Sequence, residues 1–496
     1  MIFTDYIFEY SHNLDEVAVI HNEKIRYRDI YDGVIKIQSL LKNIDIVKGD
    51  TVILISDNSR FFIESYFGII KNGNVCVPIN PTLKESEIGY IIDTVKPKAI
   101  FIQNKYIKKI NYIEDKGPLI ITEDFSDNVQ INTSDNCNKK KEKVSDEDVA
   151  VMIFTSGSTS KPKGVMLTHK NLIHNTNSII EYLKLTKNDR VEVVLPFYYC
   201  YGTSLLHTHF RVCGSLVINN KFMFPQDVLE DINKYSCTSI AGVPSTYQIL
   251  LRMTDMKNMK FNSLRYITQA GGMLANSFIK ELIDTLPNTD LYIMYGQTEG
   301  TARLSYLPPE KIKEKLGSIG KGIPGVALKI VNENGDCVKV NEVGHLIAKG
   351  ENVMKGYFNN PEETKLVIRD GWLYTGDLAQ IDEDGYIYIV AREKNIIKSG
   401  GNRISPREIE DVIVRIPQVI ECAVVGVEDD FLGEGIKAFI AVNDKTIDHK
   451  YVINFCKENL SSFKVPKYIE FMDSLPKNSS GKILFKKLKE KSESNG

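Results

Sequence analysis

The chain carries almost no surplus of either charge: 62 lysines and arginines stand against 64 aspartates and glutamates, for a formal net charge of −2 over 496 residues. Such a balance gives no electrostatic case for nucleic acid or an anionic membrane as partner. Cysteine is sparse, and its eight positions (76, 137, 200, 213, 237, 337, 422 and 456) include no C-x-x-C pair and no grouping with histidine. That argues against a zinc site and a disulfide framework, and for reduced cytosolic thiols. No apolar run approaches a membrane span. The start, Met1-Ile2-Phe3-Thr4-Asp5-Tyr6, lacks a basic segment followed by a long apolar one, so a cytoplasmic protein is expected. No internal repeat and no Gly-Lys-Ser/Thr triplet of Walker type is found in the segment where phosphate chemistry is otherwise suggested.

That segment is Thr155-Ser156-Gly157-Ser158-Thr159-Ser160-Lys161-Pro162-Lys163-Gly164, which follows the apolar run Val149–Phe154. Glycines let backbone N–H groups turn toward an anion, hydroxyls add donors and lysines add positive charge, so the composition suits phosphate. Counting from Gly157 puts Pro162 where a Walker loop needs its second glycine, which disfavours a P-loop kinase or ATPase.

The length implies two or more domains. From about residue 50 to residue 300, short apolar runs alternate with helical patterns. The first are Thr51–Ser56, Arg60–Lys71, Val75–Ile79, Glu85–Val95 and Ala99–Ile102, and the later strand candidates are Val191–Leu195, Ser215–Ile218, Ser239–Val243, Arg265–Ala270 and Leu291–Tyr295. The alternation predicts an α/β fold of doubly wound, mostly parallel sheet, with ligands held where strands end in loops. Between the two stretches the polar run around Lys139–Lys143 reads as a solvated connection. After Gly300 glycine-punctuated strands with turns at Asn334-Gly335 and Asp384-Gly385 predict an antiparallel β subdomain. A small α+β domain is expected after the charged segment Arg392-Glu393-Lys394-Asn395. There Ser405-Pro406-Arg407-Glu408 has the form of a capping box opening a helix. The expected division is 1–392 (a core over 1–300 and a β-rich part over 301–392) and 393–496.

Six further motifs follow the loop in order. They are Leu195-Pro196-Phe197-Tyr198-Tyr199-Cys200-Tyr201-Gly202, Gln269-Ala270-Gly271-Gly272, Tyr295-Gly296-Gln297-Thr298-Glu299, Tyr374-Thr375-Gly376-Asp377, the segment from Arg392 to Glu410, and Pro476-Lys477-Asn478-Ser479-Ser480-Gly481-Lys482. Taken singly, a glutamate after a strand or a lysine near a lysine-rich terminus would be solvated, and an aspartate after glycine would be a turn residue. As an ordered set spanning nearly the whole chain, they resemble the adenylate-forming superfamily of acyl-CoA synthetases, peptide-synthetase adenylation domains and luciferases.

The resemblance implies an ATP-dependent, AMP-forming acid–thiol ligase. Such an enzyme adenylates an acyl or aryl acid with release of pyrophosphate and passes the acyl group to a thiol, CoA first among the candidates. The same residues would serve a stand-alone enzyme loading the phosphopantetheine of an acyl carrier protein, and a catalytically silent acyl or nucleotide sensor is the alternative from another class. By match to family positions, Thr155, Ser156, Gly157, Ser158, Thr159 and Lys163 would hold phosphate and Glu299 would bind Mg²⁺. Thr298 would reach the α-phosphate. Gly271, Gly272, Tyr295 and Gly296 would contact adenine, with Tyr295 as a stacking face, and Asp377 and Arg392 would hold the ribose. Lys482 would bridge the acyl carboxylate and the α-phosphate.

The resemblance further implies a mobile C-terminal domain pivoting at Lys394, which withdraws Lys482 and presents Lys398 with Gly400 and Gly401 for thiol attack. The acid pocket would involve Tyr199, Thr203, Val243, Pro244, Ser245, Thr246, Gly271, Met273 and Gln297. Two departures bear on the substrate. Tyr199 stands where many relatives carry histidine, so any role needing imidazole is lost. Phe197–Gly202 contains no acid to pair with an ammonium, which disfavours an α-amino acid. His207 and His209, two apart on a helix, point away from each other and are expected as core or surface residues, not a metal pair.

Overall fold

The computed structural model describes residues 1–113, 117–124, 143–155, 162–444, 446–478 and 481–493. Four sheets organise them. In the nine-stranded sheet, Asp290–Tyr295, Tyr266–Gln269, Ser239–Gly242, Arg190–Val193, Ser215–Ile218 and Val17–His21 run parallel in that spatial order. Antiparallel strands close both of its edges. The seven-stranded sheet has a parallel centre of Val75–Ile79, Thr51–Ile55, Ala99–Ile102 and Leu119–Thr122. These strands read as unbroken apolar runs because helices cover both faces of the sheets they form.

Between the two large sheets the helices Phe3–Phe8, Arg60–Lys71, His169–Leu183 and Cys200–Arg211 pack into one core, with Phe3, Phe62, Tyr66, Phe67, Phe197 and Phe210 fully buried. A second cluster lies on the other face of the nine-stranded sheet. It runs from the helices Pro244–Met253 and Asn276–Thr285 into Ile397, Ile404, Ile409, Ile413 and Val424. The third sheet is antiparallel, formed by Val326–Val331, Gly344–Gly350, Trp372–Ile381 and Ile368–Arg369, with Ile387–Arg392 beside Trp372–Ile381. The fourth joins Ile397–Ser399, Asn402–Ile404, Gly433–Val442, Val419–Asp429 and Tyr468–Met472.

The α/β expectation holds, and one local reading changes. The hairpin Val17–His21 and Glu23–Arg26 edges the nine-stranded sheet, and the strands Val149–Thr155 and Lys163–Thr168 that flank the glycine- and hydroxyl-rich segment pair antiparallel. Ser405 precedes the helix Pro406–Ile413 but makes no side-chain cap. Its hydroxyl donates to the Val390 carbonyl (2.8 Å), and Glu408 pairs with Lys464 (2.6 Å). A tertiary partner has taken each side chain that a capping box would use.

Candidate functional site

The strand Asp290–Tyr295 ends in a single helical turn, Thr298–Gly300, which lifts Thr298 and Glu299 to the sheet's rim. Glu299 accepts a hydrogen bond from the Tyr357 hydroxyl (2.8 Å). Burial, with the Glu299 carboxylate beside it, drives the Tyr357 pKa far up, so this donor stays protonated. Lys163 lies over the Tyr357 ring, 5.4 Å from its centre, and pairs with Glu363. A phosphate bound there would therefore compete with an existing carboxylate. Thr155 is half-buried at the end of its strand, while Ser156, Gly157, Ser158 and Thr159 fall outside the described residues.

A second group forms where two antiparallel strands place Asp377 opposite Arg392. Asp377 is 3% exposed; it accepts from the Tyr295 hydroxyl (2.6 Å) and pairs with Arg392 Nε (2.9 Å). Burial alone would lower the Arg392 pKa, but Asp377, with Tyr295 and Glu299 behind it, raises it. Each Asp377 oxygen keeps a lone pair for a further donor, as a ribose diol would require. Tyr295, expected as a stacking face, here anchors the aspartate through its hydroxyl. Gly296 is required by packing: a Cβ would lie 2.0 Å from the Ala302 carbonyl oxygen. Gly271 adopts φ +83°, and a Cβ would lie 3.1 Å from Lys482 Cε. Gly272, next to it, faces Pro244 and is exposed.

Lys482 enters the cleft from the C-terminal region on a tight turn. Gly481 donates to the Asn478 carbonyl (2.9 Å), Asn478 to the Lys482 carbonyl (2.9 Å), and the Lys482 N–H to Asn478 Oδ1 (3.0 Å). Two anchors hold that turn. The Ser245 hydroxyl donates to the Gly481 carbonyl (2.8 Å), and Lys477 pairs with Glu421 (2.7 Å), a carboxylate 3% exposed that also accepts from Leu475 N–H (3.1 Å). Lys482 is open to solvent yet ringed by protein, as a side chain in a water-accessible cleft should be. Its pKa is lowered by burial, with Arg392 and Arg303 adding to the shift and Cys200 and Glu299 opposing it.

Of the expected acid-pocket residues, Tyr199 caps the start of the helix Cys200–Arg211 and its ring centre is 4.9 Å from that of Tyr198. Thr203 is buried and donates to the Tyr199 carbonyl (3.0 Å). Ser245 is committed to the lysine turn, and Val243 N–H donates to Thr246 Oγ1 (3.2 Å). Met273 packs beside Tyr295 against the antiparallel sheet, and Gln297 is half-buried next to Thr298. His207 and His209 are core residues: burial lowers their pKa values to about 3 and about 4, and His207 Nε2 lies 2.9 Å from the Tyr66 hydroxyl.

Lys398 is not brought to this cluster. It is exposed on the strand Ile397–Ser399, its backbone N–H bonded to Glu434 (2.6 Å). Lys394 lies on the turn Glu393–Asn395, its pKa lowered by burial and by the Arg392 cation. Residues missed by the sequence reading are Tyr357, Glu421, Lys477 and Cys200, whose Sγ is 3.6 Å from Thr298 Oγ1. The first two carry no sequence signal, since nothing in their neighbourhoods announces a partner 58 or 54 residues away.

The site suits a nucleotide with its metal. Among the described residues no group of three or more His, Cys, Asp or Glu could hold a metal ion. A lone carboxylate such as Glu299 fits Mg²⁺ that keeps phosphate and water as its other ligands. Among the described residues no helix is long and apolar enough to cross a membrane.

Comparison with known proteins bears on this arrangement. Residues 9–358 match the model of the AMP-binding enzyme family, and residues 408–482 that of the AMP-binding enzyme C-terminal domain. A long-chain-fatty-acid–CoA ligase of Bacillus subtilis is 31% identical, covering 97% of this chain and 92% of its own. The anthranilate CoA ligase AuaEII, solved with anthranoyl-AMP, superposes with a TM-score of 0.91 at 25% identity, over 99% of this chain and 97% of its own. MatB of Rhodopseudomonas palustris is 27% identical; its ATP-bound structure gives a TM-score of 0.90 and its apo structure 0.79, each over 100% of this chain and 99% of MatB.

Proposed function

The chain belongs to the AMP-binding enzyme family, and from that premise we propose that it is an ATP-dependent, AMP-forming acid–CoA ligase. The observation that carries the proposal is the placement of Lys482 at Gly271, within electrostatic reach of Glu299 and of the Arg392 that pairs with Asp377. An acid's carboxylate oxygen attacks the α-phosphorus, the bond to the β-phosphate oxygen breaks, and pyrophosphate leaves. Lys482 neutralises charge on the entering carboxylate and the α-phosphate as it shifts in the transition state, where such a cation is worth most. Asp377, held by Tyr295 and Arg392, accepts the ribose hydroxyls and fixes the nucleotide's register. Thr298 would position the α-phosphate, and Glu299 would hold Mg²⁺, which would supply charge compensation to the leaving pyrophosphate. In the second step the CoA sulfur attacks the acyl carbon and AMP departs with the electron pair of the mixed anhydride.

The superposition, closer on ATP-bound than on apo MatB, supports reading this arrangement as the one competent for adenylation. Thioester formation then calls for the C-terminal residues 393–496 to turn about Lys394 relative to residues 1–392, bringing Lys398 to the adenylate. That turn would break the bonds from Ser405 to Val390 and from Arg407 to Ile389, and free the Lys482 turn from Ser245. Acid-dependent exchange of labelled pyrophosphate into ATP, across a panel of carboxylic acids, tests the proposal. Exchange with at least one acid, followed by thioester formation on adding free CoA, is the expected result. No exchange with any acid would remove it, and transfer only to a phosphopantetheinylated carrier protein would change the acceptor.

A further inference from the structure

Arg303 is 2% exposed and has no carboxylate at ion-pairing distance among the described residues. Its guanidinium lies on the Tyr201 ring, 3.9 Å from the centroid; Nη1 donates to the Ala302 carbonyl (3.1 Å) and Nε to Met294 Sδ (3.4 Å). A stacked ring and neutral acceptors, with the Tyr182 hydroxyl beside them, do not replace the hydration of a cation or supply a counter-ion.

The backbone is strained to put it there. Thr301 and Ala302, neither of them glycine, have φ of +53° and +92°. Asn352 donates to the carbonyls of Gly300 (3.0 Å) and Arg303 (2.8 Å) and accepts from Thr301 Oγ1 at its own carbonyl (2.5 Å), while Asn175 adds a second donor to the Arg303 carbonyl (3.1 Å). Strain held this firmly is a mark of sites where a side chain must be delivered to a fixed place.

That place adjoins the reacting centre. The strained turn directly follows Thr298–Gly300, Tyr201 follows the Cys200 that touches Thr298, and the Arg303 charge is felt at Lys482. Behind the guanidinium is a cavity of about 10 Å³, room for one water. Its wall includes Ser204, Thr208, His209 and Ser239, and His209 Nε2 has no hydrogen-bond partner among the described residues.

We propose that the acid this enzyme adenylates is a compact diacid, whose second anionic group is received by Arg303 at the floor of the acid pocket. The inference rests on the adenylating function proposed above and names its substrate class. One carboxylate meets Lys482 and the α-phosphate; the other supplies the counter-charge that Arg303 lacks. A buried, charge-assisted contact of this kind discriminates sharply against the isostere that lacks it.

The test uses the full chain and pyrophosphate exchange with matched pairs: malonate against propanoate, succinate against butanoate, glutarate against pentanoate, with dodecanoate added. For at least one pair kcat/KM for the diacid should exceed that for the monoacid by about 10-fold or more. Arg303→Met should bring the ratio to one or below with KM for ATP unchanged, and Arg303→Lys should restore part of it. A wild-type enzyme that uses the monoacids or dodecanoate as well as the diacids overturns the inference even if the methionine variant does not fold, as does an unchanged ratio in a folded variant. In those cases adenylation itself stands. Exchange with no acid at all would instead remove the adenylating function, and this inference with it.

Discussion

Lys482 and Lys398 both belong to the C-terminal region, and their surroundings are opposite. The Lys482 turn is tied to the rest of the molecule by Ser245 and braced from within by the buried Lys477–Glu421 pair, and its side chain reaches Gly271 in the cleft. Lys398 is exposed beside Gly400 and Gly401, and the loop that follows it is tied to Leu432 by a single backbone bond (2.9 Å). The difference teaches that one arrangement does not bring both lysines to the same cleft; under the function proposed above, this one would serve acid activation and thiol transfer would need another.

The comparison breaks most readily at Lys482. Lys482→Ala should lower pyrophosphate exchange by about 10²–10³-fold, the scale on which loss of a transition-state charge stabiliser acts, while thioester formation from preformed adenylate keeps most of its rate. Lys398→Ala should do the reverse, sparing exchange and slowing thioester formation by about 10-fold or more. Equal losses of both variants in both assays would dissolve the division between the two lysines.

Glu421 sharpens it, because it touches neither substrate and acts only through the turn that carries Lys482. Glu421→Gln keeps the acceptor for Leu475 but unpairs Lys477, and should reduce exchange about 10-fold with little effect on transfer from preformed adenylate. Lys477→Met should cost a similar factor, and the double variant less than the product of the two, since both remove one interaction. A loss shared equally by both half-reactions would make the pair a stability element and nothing more.

A smaller effect lies in pH. Because the Lys482 pKa is lowered, its ammonium is lost as pH rises before that of an ordinary lysine, near 10.4. Exchange should therefore fall on an alkaline limb below that value, and transfer from preformed adenylate should lack the limb. Arg303→Met, by removing a neighbouring cation, should move the limb upward.

The smallest expected effect concerns the scaffold both lysines share. Burial raises the Glu410 pKa to about 7. The folded state keeps a proton that the unfolded chain gives up near the ordinary glutamate value of 4.5, so stability from this group is full below that pH and is lost as pH rises toward 7. Glu410→Gln should raise the melting temperature more at pH 8 than at pH 4.5, by the equivalent of about 1–3 kcal/mol. An equal shift at both pH values would locate the effect elsewhere.

How far the sequence reached depended on how local each cause is. The parallel strands were legible because burial on both faces writes itself as continuous apolar runs, as in Ala99–Ile102. The N-terminal hairpin Val17–His21 and Glu23–Arg26 was not, since the half-exposed alternation of an edge pair is a weak signal and its parallel partner, Ser215–Ile218, is some two hundred residues away. Ser405 followed the capping pattern, but the Val390 carbonyl claimed its hydroxyl.

By itself the sequence determined the α/β class, the ordered motifs and the residue types that adenylation needs, because each of these is carried by contiguous residues whose chemistry does not depend on distant partners. Tertiary structure alone decided which of those residues meet: Asp377 with Tyr295 and Arg392, Lys482 with Gly271 and within the field of Glu299, and Arg303 with Tyr201 but, among the described residues, with no carboxylate. The reason is physical. Pairing, burial and the pKa shifts they cause are properties of juxtaposition, and juxtaposition across tens to hundreds of residues is set by how the sheets close on one another.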